Sequence, residues 1–93
     1  MNTEELFYEL AGRGRVPSGE LREAMFEFHN SMVGKSKYIK RVENPKTRCG
    51  SCIQRVLRNV FNWYHFDEDA PTYEGIYFSG KFGIGNIPLY KRK

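Results

Sequence analysis

Residues Cys49 to Phe66 read CGSCIQRVLRNVFNWYHF, and this stretch decides the fold. Ile53, Val56, Leu57, Val60, Phe61 and Tyr64 recur at the three- and four-residue spacing that places them on one side of a helix. Arg55, Arg58, Asn59 and Asn62 then fall on the opposite side, facing solvent or a partner. Ser51 with Gln54 three residues on has the capping-box spacing, which starts the helix near the second cysteine. Asp67, Glu68 and Asp69 would sit badly at the negative end of a helix dipole, so the helix ends near Phe66.

Working back from this helix, residues 35 to 48, KSKYIKRVENPKTR, have no clean period and read as a loop. Tyr38, Ile39 and Val42 pin it to the body, and Asn44-Pro45 marks a turn, because a residue before proline is pushed out of the helical region. Gly34 is the natural stop of a preceding helix. That helix is capped by Ser18, carries Glu20 in its first turn, and has the apolar stripe Leu21, Ala24, Met25, Phe28 and Met32. Gly14 and Pro17 punctuate the connection to a short first helix, where Asn2 and Glu5 form a cap and Leu6, Phe7, Leu10 and Ala11 share a face.

Downstream the pattern changes. Tyr73 to Phe78 is rich in β-formers, Ser79-Gly80 and Gly85-Asn86 offer turns, and Lys81 to Ile84 can pair back. The expected class is α+β, with three helices, the third the longest, and a small C-terminal antiparallel β-hairpin or meander. At 93 residues the chain is one domain. Residues 1–34 are its acidic helical part, 35–66 its basic loop and main helix, and 67–93 its meander and basic tail.

Charge is sorted along the chain. Residues 1–34 hold three basic and six acidic groups, net −3; residues 35–66 hold eight and one, net +7; residues 67–93 hold four of each. A segregated cationic segment points to a polyanionic partner. Lys35, Lys37, Lys40, Arg41, Lys46 and Arg48 supply the attraction, and Arg55, Arg58, Asn59 and Asn62 supply groups that contact phosphates and base edges. Nucleic acid is the first reading; an acidic protein surface would use the same charges. Forty per cent hydrophobic residues exclude a disordered chain, and no apolar run is long enough to span a membrane. The acidic start, Met-Asn-Thr-Glu-Glu-Leu, is unlike a signal peptide, so a soluble cytoplasmic protein is expected.

Catalysis has little support: Asp67, Glu68 and Asp69 read as solvated acids, and no nucleophile motif is present. Gly80-Lys81-Phe82-Gly83-Ile84-Gly85 lacks phosphate-loop spacing and leads into no helix. The Cys49-Gly50-Ser51-Cys52 run leaves three readings: free thiols packed at a helix start, two ligands of a zinc site, or a redox pair. His65 is excluded as a zinc partner within one chain, because one helix from Cys52 would carry it roughly 20 Å away.

Pro45-Lys46-Thr47-Arg48-Cys49-Gly50-Ser51-Cys52-Ile53, entering an amphipathic helix, resembles a pattern found in small bacteriophage-encoded proteins. The resemblance implies a phage accessory protein acting in host cytoplasm, one that binds host machinery, DNA or the virion. It raises one alternative to nucleic-acid binding, a factor that modulates or inhibits a host protein through the same basic surface; a small zinc-binding or virion-associated structural protein, the zinc reading resting on the cysteine spacing, is the other alternative.

Overall fold

In the computed structural model, three helices follow one another: α1 (Thr3–Ala11), α2 (Gly19–Ser31) and α3 (Gly50–Phe66). The structure describes residues 2–11, 17–71 and 73. Among these there is no strand, only an isolated bridge between Ser36 and Ile39. The α+β class is therefore corrected to a helical one over the described residues; the meander expected from Tyr73 onwards lies outside them, apart from Tyr73 itself.

Each helix begins for a local reason. Asn2 accepts the Glu5 N–H through Oδ1 at 2.8 Å, satisfying one of the amide groups that a helix start leaves unpaired. Ser18 occupies the N-cap of α2 but makes no side-chain cap bond, so that helix starts by position alone. For α3 the expected Ser51 cap is two residues too late. Cys49 is the N-cap, and its Sγ accepts the Cys52 N–H at 3.2 Å. Beyond α2 the chain turns through Gly34, whose φ of 83° is a left-handed conformation that costs a side-chain-bearing residue and not glycine.

α2 packs against both α1 and α3. Being covered on two sides widens its buried arc beyond one stripe: Leu21, Met25, Phe26 and His29 are buried, while Ala24, Phe28 and Met32 are only partly so. From α3 come Val56, Leu57, Val60, Phe61, Trp63 and Tyr64, and from α1 Leu6, Phe7 and Leu10. Burying a large apolar side chain contributes about 1.5–3 kcal/mol, so this set holds the domain together. Ile39 of the loop is fully buried, as the sequence suggests; Val42 is exposed instead, which makes Ile39 the anchor.

Phe7 is the hub. Its ring stacks on Tyr64 with centroids 4.8 Å apart and meets Phe28 edge-on at 5.5 Å, with Trp63 at 5.8 Å and Tyr73 at 6.3 Å. Tyr73 is tied in further: its N–H donates to the Tyr64 hydroxyl at 3.0 Å, and that hydroxyl lies 3.4 Å from the Tyr73 carbonyl. Burial raises the Tyr73 phenol above its ordinary pKa, and neighbouring Glu4 and Tyr64 push the same way.

After α3, Asp67 is half-buried rather than solvated. It accepts the Ser36 hydroxyl at 3.2 Å and the Asp69 N–H at 2.9 Å, which joins the end of α3 to the start of the basic loop. No helix among the described residues is long and apolar enough to cross a membrane.

Candidate functional site

The basic loop has no regular structure of its own, so its backbone polar groups need partners elsewhere. α2 supplies them. Asn30 Nδ2 donates to the Glu43 carbonyl at 2.9 Å and its Oδ1 accepts the Glu43 N–H at 3.0 Å, so one side-chain amide satisfies both backbone groups of one loop residue. Further along, the Arg22 guanidinium donates to the carbonyls of Pro45 (3.1 Å) and Thr47, while lying 5.6 Å over the Phe26 ring. The expected turn is present: Thr47 N–H reaches the Asn44 carbonyl at 3.1 Å, and Asn44 Oδ1 accepts from Lys46 N–H at 3.0 Å.

Behind Asn30 lies His29, fully buried. Its Nδ1 is 3.0 Å from Asn30 Oδ1 and its Nε2 is 3.3 Å from Asn59 Nδ2. With the two amides so oriented, the Nδ1 proton is donated to Asn30 and the Nε2 lone pair accepts from Asn59. A polar chain thus runs from α3 through the α2 interior to the loop. Replacing Asn30 with alanine strips the His29 Nδ1 and both Glu43 backbone groups of their partner. We expect a loss of about 2–3 kcal/mol in urea unfolding, together with faster proteolysis confined to residues 35–48.

Glu43 is the single acid of the basic segment. Its Oε2 accepts from Arg41 Nε at 3.1 Å and from Arg55 Nη1 at 3.3 Å, with the carboxylate largely buried between them. These two arginines and Lys40, together with Tyr38 and Asn59, line an open cavity of about 350 Å³. Three cations face one carboxylate there, leaving the cavity net positive. A second cavity of about 420 Å³ continues along the loop, lined in part by Arg22, Glu23, Lys46 and Arg48.

Of the residues singled out from sequence, the structure brings Lys40, Arg41, Arg55 and Asn59 together in the first cavity and Lys46 and Arg48 in the second. Lys35, Lys37 and Arg58 are exposed and line neither, and Asn62 is half-buried. The Lys37 ammonium lies 5.4 Å from the centre of the Tyr38 ring. Asn59 is turned towards α2 rather than away from it, since its amide is spent on His29. Both ion pairs found among the described residues use Glu43, so the acids of α1 and α2 do not neutralise this surface through direct pairing.

Cys49 and Cys52 are joined as a disulfide across the first turn of α3. The free-thiol reading is corrected: neither cysteine is free. In this state neither sulfur is a thiolate that could ligate zinc, and among the described residues no group of three or more His, Cys, Asp or Glu side chains could hold a metal.

Sequence reasoning missed Asn30, Arg22 and Glu43, which shape the surface without being part of any motif. A lone acid inside a run of eight cations was the available signal for Glu43. Compared with known proteins, the chain matches no family model, no curated protein and no solved structure.

Proposed function

We propose that the chain is a non-catalytic binding protein that engages nucleic acid through the surface formed by residues 35–59. The observation that carries this reading is the cavity where Lys40, Arg41 and Arg55 converge beside Tyr38, with both guanidinium groups positioned by Glu43. Guanidinium groups held side by side present donors matched to phosphate oxygens. The exposed cations Lys35, Lys37, Lys46, Arg48 and Arg58 extend the footprint on either side. Such contacts attract the backbone and carry little sequence information, so weak sequence preference is expected.

Fluorescence anisotropy with labelled single- and double-stranded DNA and RNA tests this. Contact with roughly six phosphates makes affinity fall by orders of magnitude between about 50 and about 200 mM salt. Absence of binding to every probe at the lower salt would sink the proposal. Affinity capture supplies the opposing outcome: a discrete acidic protein retained after nuclease treatment would assign the same cations to a protein partner, as a phage accessory factor acting on its host would need.

A further inference from the structure

The disulfide at the start of α3 lines neither of the two cavities described above. We propose that Cys49 and Cys52 are a redox-active pair that exchanges with low-molecular-mass thiols and disulfides, with Cys49 as the attacking sulfur.

Access separates the two cysteines. Cys49 is exposed and Cys52 half-buried. Electrostatics separates them again. Cys49 Sγ lies 3.2 Å from both the Cys52 N–H and the Ser51 hydroxyl, so two donors already point at it while it is still bonded to Cys52. After reduction those donors serve a thiolate. α3 is 17 residues long with no acidic residue in its first turn, so its positive end acts on that sulfur without a competing carboxylate. Arg48 adds an exposed cation next in the chain.

Both ends of the motif are also anchored. Cys49 N–H donates to Thr47 Oγ1 at 3.1 Å, and the Thr47 carbonyl is held by Arg22. Cys52 belongs to the helix, where its N–H also lies 3.1 Å from the Cys49 carbonyl. The sulfurs therefore part and rejoin without rebuilding the fold. Gly50, between them, is exposed, and apart from its chain neighbours and its own helix backbone nothing lies within 4 Å of where a Cβ would stand, so that side of the motif is open.

The Cys49 thiolate attacks one sulfur of a small disulfide RSSR; a Cys49–SR bond forms, the S–S bond of RSSR breaks, and its electron pair leaves on RS⁻, which takes a proton from solvent. Cys52 then loses its proton and attacks Cys49 Sγ, expelling the second RS⁻ and forming the intramolecular disulfide present in the structure. The protein dithiol is oxidised by two electrons and RSSR is reduced to two RSH. Excess thiol drives the reverse.

The test uses the full chain. In Cys52→Ser, Cys49 is the remaining thiol, and in Cys49→Ser it is Cys52. At pH about 6, where a free cysteine is mostly protonated, Cys52→Ser is expected to react with glutathione disulfide at least about tenfold faster than free cysteine. Cys49→Ser should not show this gain, and adding Ser51→Ala to Cys52→Ser should slow it several-fold. For the unmodified protein, mass spectrometry in glutathione buffers of varied ratio should show reversible opening, with the trapped mixed disulfide mapping to Cys49. The proposal is overturned if Cys52→Ser reacts no faster than free cysteine, or if the unmodified protein stays oxidised at every ratio.

Discussion

Phe7→Ala is expected to cost about 3–5 kcal/mol, the range for truncating a buried aromatic residue. Its ring is fully buried and contacts Phe28 of α2, Trp63 and Tyr64 of α3, and Tyr73 beyond it. α1 is nine residues long, too short to persist in isolation, so it depends on this docking. Small domains have about 5–15 kcal/mol of stability in all, which makes such a loss enough to shift the urea midpoint far or abolish the transition. Circular dichroism during a urea titration decides it. A change below about 1 kcal/mol would show that the aromatic cluster is not the centre of the core.

The double substitution Lys40→Glu with Arg41→Glu is expected to lower nucleic-acid affinity by more than about tenfold and to reduce the salt slope by about two phosphate equivalents. Both side chains are exposed and line the same cavity, so the fold should tolerate the change. Arg41 does lose its pairing with Glu43, but a pair with one partner this exposed contributes little to stability. Matching thermal unfolding of the variant and the parent, alongside weakened binding, separates a surface effect from a folding one. Unchanged affinity and slope would show that this cavity does not touch the polyanion.

α3 was legible because a single periodic stripe supplies nearly its whole buried face, and the charge jump at residue 35 was equally plain. The start of α3 was not, because capping-box spacing pointed to Ser51, whereas the cross-link to Cys52 places the Cys49 sulfur over the first-turn amides. The stripe assigned to α2 omitted Phe26 and His29 because a helix wedged between two others buries more than one row. The loop's moorings left no pattern at all. Asn30 reaches 13 residues ahead and Arg22 reaches 23 and 25, distances at which side-chain bonds have no periodicity to read. The α+β class rested on β-forming composition from Tyr73 onwards, and past Tyr73 that stretch lies outside the described residues, which hold three helices and no strand.

The clasp of Glu43 by Asn30 has a thermodynamic corollary for recognition. A coil that is already ordered in the unbound molecule surrenders little chain entropy when a ligand arrives, since folding has met that cost. Encounter then approximates the docking of two finished shapes, with charge governing the rate of arrival.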